Sequence, residues 1–174
     1  MKLKKMGIAI LALLTILSFQ TNSLNVYAAE DAAPAYNELS QQIQNVMDYD
    51  DNFKFMINIL FTSVDSGNQE LFNEAAEILK KDLLNLETNV YNSNKRMVEL
   101  RHQLINSGVQ DLDEIEIIIQ HSYTIQDGLR YVLHAVEDAT SDFSFWVPFM
   151  LEDANEKWKF VIDYISALKS DFNL

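Results

Sequence analysis

Catalysis and metal binding need particular side chains at particular spacings, and the histidines come first. His102, His121 and His134 stand 19 and 13 residues apart. A helical two-histidine metal site needs its imidazoles one turn apart, at i and i+4. Neither spacing supplies that, so three single histidines on polar or half-buried faces are expected. Asp48-Tyr49-Asp50-Asp51-Asn52 is acidic enough for calcium. An EF-hand loop, however, requires Gly at its sixth place and Glu at its twelfth. Counted from Asp48, those places hold Phe53 and Ile59, and a solvated acidic helix face is expected instead. There is no cysteine, which removes thiolate chemistry, disulfides and a lipid-modified cysteine together. With four glycines in the chain, neither a serine nucleophile elbow nor a glycine-rich phosphate loop is present. The residues point to no enzyme and call for no cofactor or metal.

The other conspicuous chemistry is aromatic. Between Phe143 and Leu151 the chain gathers Phe143, Phe145, Trp146 and Phe149, with Met150 beside them. Exposed, such a cluster is an edge for a partner or a membrane surface. Buried, it is a staple that seals one end of a helical bundle. Nine residues are too few for a spanning helix, although enough in principle for one strand of an oligomeric barrel.

These residues have to be held by helices. From Phe72, steps of four and three give Phe72, Ala76, Leu79, Leu83, Leu86, Val90, Ser93, Met97, Leu100 and Leu104, apolar except at Ser93. That is a heptad seam on a helix of roughly 50 Å at ~1.5 Å per residue. One apolar stripe on one long helix needs partners, because most helical stability comes from packing. Three more stripes supply them. Tyr36, Leu39, Ile43, Val46, Asp50, Phe53, Ile57, Leu60 and Val64 form the first. Leu112, Ile115, Ile119, Ser122, Gln126, Leu129, Leu133 and Val136 form the third, with Ile118, Ile125 and Val132 beside them. Leu151, Ala154, Trp158, Val161, Ile165, Leu168 and Phe172 form the last.

The punctuation agrees with this division. Asp65-Ser66-Gly67-Asn68 and Ser107-Gly108 are turns, Asp111 or Asp113 can cap the helix after the second turn, and Pro148 suits a first helical turn. Gly128, inside the third helix, implies close packing or a kink. The expected fold is all-α: an antiparallel up-down four-helix bundle of long, coiled-coil-like helices spanning about 36–64, 68–106, 111–140 and 147–172. Glu30 to Ala35, with Pro34, reads as a short lead-in.

The N-terminus reads as an address. Lys2, Lys4 and Lys5 precede an apolar run from Met6 to Phe19, and Val26-Tyr27-Ala28-Ala29 supplies small residues for cleavage after Ala28. That is the pattern of a secretory signal peptide, 1–28, and its apolar core is shorter than the ~20 residues a bilayer span needs. Residues 29–174 are then one extracellular domain with no membrane anchor. Removal of three lysines leaves ten basic residues against 26 acidic ones, a net charge of −16. Phosphate backbones and anionic lipid surfaces repel such a chain, which excludes nucleic-acid binding.

Within this order of features a resemblance emerges. Phe143-x-Phe145-x-x-Pro148, then Ala154 and Trp158-Lys159, is similar to the C-terminal helix of the secreted helical toxins typified by haemolysin BL and the non-haemolytic enterotoxin. Met47-Asp48-Tyr49-Asp50-x-x-Phe53, the turn Asp65-Ser66-Gly67-Asn68, and a long helix ending Leu100-Arg101-x-x-Leu104 resemble that family's paired tail helices. Members of the family carry a long extension to a head with a hydrophobic, membrane-entering hairpin after the second helix. Here the chain passes from Leu104 through Ser107-Gly108 directly into the third helix. The resemblance therefore implies a tail bundle without a lytic head, meeting toxin subunits or a host-cell surface protein. A secreted inhibitor or adhesin unrelated to toxins is the alternative.

Overall fold

The computed structural model describes the backbone of residues 23–109, 112–141 and 146–171, and the side chains of those lying between 33 and 169. Among the described residues the regular elements are five helices: α1 (Ser23–Asp48), α2 (Asp50–Ser66), α3 (Gln69–Asn106), α4 (Asp113–Ser141) and α5 (Val147–Asp171). No strand occurs among the described residues. The part of the expected signal peptide before Ser23 lies outside the described residues, as do Asp111, Phe143, Phe145 and Phe172.

Two features of the first helix differ from the sequence reading. It begins at Ser23, so the expected lead-in is helical and Pro34 stands inside it. Ala28, Ala29, Ala32, Ala33 and Ala35 are the strongest helix formers and offset the ~3 kcal/mol that an interior proline costs. The rod is also divided at Tyr49, whose ψ of −9° departs from the helical value while φ stays at −82°. The backbone ladder nearly bridges the division. Tyr49 N–H still reaches the carbonyls of Asn45 (3.1 Å) and Val46 (3.3 Å), and its own carbonyl accepts from Phe53 N–H at 2.9 Å. The α1 and α2 segments thus act as one rod with a step in it.

Glycine sets the two turns that bound α3. Gly67 takes φ +69° and Gly108 φ +85°, conformations that cost any other L-residue strain. At the first, Asn68 N–H returns to Ser63 carbonyl (2.8 Å) and Gly67 N–H to Val64 carbonyl (3.1 Å). These two hydrogen bonds form the Schellman closure, which satisfies carbonyls left over at a helix end. At the second, Val109 N–H bonds Leu104 carbonyl and Gly108 N–H bonds Ile105 carbonyl, both at 3.0 Å. The helix after the first turn is capped at once, since Asn68 Oδ1 accepts Leu71 N–H at 3.1 Å.

Four rods pack around a common interior. The α1–α2 rod lies on α3, α3 on α4, α4 on α5, and α5 returns to the first rod. The larger apolar cluster draws on all four: Phe53, Ile57 and Leu60 from α2, Phe72 to Val90 from α3, Ile125 to Ala139 from α4, and Val147 to Ile165 from α5. A second cluster, Leu39, Met97, Leu100, Leu104, Leu112 and Ile119, fills the far end and takes no described residue from α5. Between the two sits a polar layer. Ser93, Asn94, Ser122 and Gln126 are all buried there.

Candidate functional site

Two places combine chemistry with tertiary organisation: an internal node around Trp158, and an external seam along α4 and α5. The node is built from both ends of the sequence. Trp158, at 1% exposure, is the largest fully buried side chain. Its ring stacks on Phe53 at a centroid distance of 4.4 Å and 14° between planes, and it meets Tyr49 edge-on at 6.0 Å. An indole buried this deeply needs a home for its N–H. Asp50 provides it, accepting from Nε1 at 2.9 Å, and the same carboxylate takes Lys54 Nζ at 2.7 Å. Burial pushes the Asp50 carboxyl up, but the donors Lys54 and Trp158 outweigh it, and the group sits below its ordinary value. One residue before Asp50, Tyr49 donates its phenol to Asp82 of α3 at 2.8 Å. Burial, that hydrogen bond and the Asp82 charge all raise the Tyr49 phenol.

Asp48, Asp51 and Asn52 are exposed, as the solvated acidic face requires, and only Asp50, half-buried, departs from that reading. Asp48 accepts from Gln44 at the surface, whereas Asp50 turns inward as a structural acceptor. The histidines are dispersed as the spacing implies: His121 Nδ1 lies 2.7 Å from Tyr164 Oη, His134 Nδ1 lies 3.1 Å from Glu137, and His102 is exposed. Among the described residues no group of three or more His, Asp or Glu side chains could hold a metal ion.

The structure places every described seam residue inside the bundle. Phe72, Leu79, Leu83, Val90, Met97, Leu100, Leu104, Trp158, Val161 and Ile165 are buried. Leu86 and Leu168 are half-buried and pack against the larger cluster. The aromatic cluster before α5 divides. Val147 and Leu151 are fully buried and Met150 packs half-buried against the core, as a staple would. Trp146 and Phe149 stand 61% and 56% exposed, their rings 5.8 Å apart, as a contact edge would.

That edge continues along the outer face of α5. Eleven residues on from Phe149, three helical turns, comes Phe160 at 58% exposure, and across the seam on α4 stands Tyr131 at 61%. Between Tyr131 and Phe160 lies an open groove of about 330 Å³, lined also by Thr124, Asp127, Gly128 and Lys157. Gly128 creates it. A Cβ there would come within 2.7 Å of Val161 Cγ2, so α4 and α5 approach as closely as they do only because this residue lacks a side chain. Phe160 in turn stacks on Tyr164 at 6.0 Å, which reaches back to His121.

Sequence reasoning missed this groove and the polar layer. The groove carried a signal in Tyr131 and Phe160, large aromatics that fall off the apolar stripes, and in Gly128. The layer carried one in Ser93, Ser122 and Gln126, polar residues at stripe positions. In the layer Asn94 Nδ2 donates to Gln126 Oε1 at 3.1 Å, and Gln126 Nε2 donates to Glu87 at 3.1 Å. Arg130 caps the chain of bonds on Glu87 at 2.8 Å, while Asn94 Oδ1 has no hydrogen-bond partner among the described residues.

The fold and these sites define an all-helical bundle protein organised by an aromatic node and carrying an aromatic surface. Compared with known proteins, the chain matches no family model, no curated protein sequence and no solved structure.

Proposed function

We propose that this chain is a secreted, non-enzymatic helical-bundle protein of the haemolysin BL and non-haemolytic enterotoxin type, acting by protein or cell-surface contact rather than as a pore by itself. The observation that carries the reading is the node. Tyr49, Asp50 and Phe53 come from one stretch that resembles the toxin tails and Trp158 from another, and the two stretches, about a hundred residues apart, meet in a single interlocked contact. A shared contact gives a physical reason for the two patterns to occur together.

The architecture in this reading is an antiparallel up-down four-helix tail bundle, with residues 1–28 removed on export. Side-chain pairings support the direction of each rod. Glu38 meets Arg96 while Tyr49 meets Asp82; Glu87 meets Arg130 while Glu116 meets Arg101; His121 meets Tyr164 while Gly128 meets Val161; Gln44 meets Lys169 while Asp50 meets Trp158. In each neighbouring pair of rods one number rises as the other falls. Among the described residues no helix is long and apolar enough to cross a membrane, which favours action through partners over helical insertion.

The test is to add the mature protein to target cells with and without head-containing toxins of this type. Altered lysis or altered assembly only in their presence is expected. No effect in either condition contradicts the reading and leaves the secreted binding module, which the exposed aromatic surface favours on its own account.

A further inference from the structure

We propose that the outer face of the α4–α5 seam docks a cationic amphipathic helix. The proposal rests on the contact-protein reading and names the chemistry of the partner. Three observations carry it.

The face is apolar where a partner would anchor. Trp146, Phe149 and Phe160 follow one another along α5, and Tyr131 of α4 shares a groove with Phe160, each more than half exposed. Phe149 and Phe160 are separated by roughly 16 Å of helix, the span over which a docked helix presents three turns of anchors. Large exposed aromatics of this kind dominate contact energy elsewhere.

The face also has a receptor for a protruding side chain. The groove at Gly128, about 330 Å³, lies between Tyr131 and Phe160 and opens to solvent. Gly128, part of its lining, also marks the close approach of the two helices, since a Cβ there would lie 2.7 Å from Val161 Cγ2.

Charge selects the occupant. The cations nearest the groove are already engaged, Lys157 by Asp153 and Arg130 by Glu87 with Asp127 at 3.9 Å. Across the two helices Asp138, Glu156 and Asp163 are exposed, and against them stands the exposed Lys159 beside Phe160, so the acids outnumber the cations. The chain as a whole carries −13. A second copy, a nucleic acid or an anionic bilayer meets like charge there. A helix with leucines on one side and lysines or arginines on the other meets complementary charge, and its cations can stack on Tyr131, Phe160 or Trp146.

The experiment measures fluorescence anisotropy of a dye-labelled helical peptide of about 18 residues, or about five turns, with leucines in heptad positions and lysines elsewhere. A twin peptide carries glutamates in place of the lysines. The unmodified mature chain should bind the lysine peptide, more weakly as salt rises, and ignore the glutamate twin. Tyr131→Ala and Phe160→Ala should each weaken binding about tenfold or more, while Phe55→Ala, on the exposed side of α2, should leave it unchanged. Circular dichroism of each variant checks that the helices persist. The proposal is overturned by any of four results: no binding of the lysine peptide, equal binding of both peptides, Tyr131→Ala and Phe160→Ala acting no differently from Phe55→Ala, or these substitutions abolishing self-association or adsorption to neutral vesicles instead. Peptide binding without any influence on toxin lysis would keep this face and sink the toxin assignment. The reverse outcome would keep the assignment and sink the face.

Discussion

At the scale of single residues, the fold depends on side chains whose surroundings leave them one acceptable state. Tyr49 is one. Its phenol ordinarily ionises at 10.0, and in the fold burial, the bond to Asp82 and the Asp82 charge hold it higher. An unfolded chain would release that proton near its ordinary value while the folded chain keeps it. Stability tied to Tyr49 is thus complete below pH 10 and is lost as pH climbs through and beyond it. Tyr36, raised by burial, adds in the same direction. Melting temperatures taken across the alkaline range should fall less steeply in Tyr49→Phe than in the parent chain. Parallel curves would contradict the Tyr49–Asp82 contact.

Gly128 is the second such residue. Alanine would gain about 1 kcal/mol of helix propensity, but its methyl would press on the Val161 side chain, itself buried at 1% exposure. Overpacking of that kind costs about 1–3 kcal/mol, so packing outweighs propensity. Chemical denaturation should show Gly128→Ala less stable than the parent and Gly128→Ala with Val161→Ala recovering part of the loss. A Gly128→Ala chain more stable than the parent would mean that the two helices do not touch there.

At the scale of elements, the polar layer divides the bundle. The four-rod cluster lies on one side, and on the other the Leu39–Met97–Leu104–Ile119 cluster is built from α1, α3 and the start of α4. An unmatched buried acceptor such as Asn94 Oδ1 costs about 1–3 kcal/mol, whereas replacing both members of a buried polar pair by apolar groups is close to neutral or favourable. Asn94→Leu with Gln126→Leu is therefore expected to raise stability. It should also slow amide exchange in residues 97–105 toward the rate of residues 129–136, because the two clusters would then be continuous. Faster exchange in residues 97–105 would show instead that the layer supports the far end.

The same scale explains what could be read in the amino-acid sequence alone. The stripes were legible because period and burial have one cause, and Phe72, Leu79, Leu83, Val90 and Ile165 lie where the spacing puts them. The turns at Gly67 and Gly108 were legible because only glycine takes those conformations without strain. The start of α1 was not, since a local rule about Pro34 was outweighed by five surrounding alanines. Nor were the pairing of Asp50 with Trp158 and the groove at Gly128, because each depends on which rods become neighbours. Half the aromatic edge was legible only as a pair of alternatives, and Val147 and Trp146, one residue apart, satisfy one each.

At the scale of the whole molecule, the claim beneath all the others is that the rods close side by side, so that the stretch around Asp50 and the stretch around Trp158 form one interior while the α5 edge faces out. The two tryptophans report on this separately: Trp158 is 1% exposed and Trp146 is 61% exposed. Fluorescence quenching by acrylamide on Trp146→Phe and Trp158→Phe chains reads each in isolation. Blue-shifted, weakly quenched emission is predicted from Trp158, and red-shifted, readily quenched emission from Trp146. Equal quenching of the two, or a more accessible Trp158, would contradict the node, the bundle and the contact surface built on them.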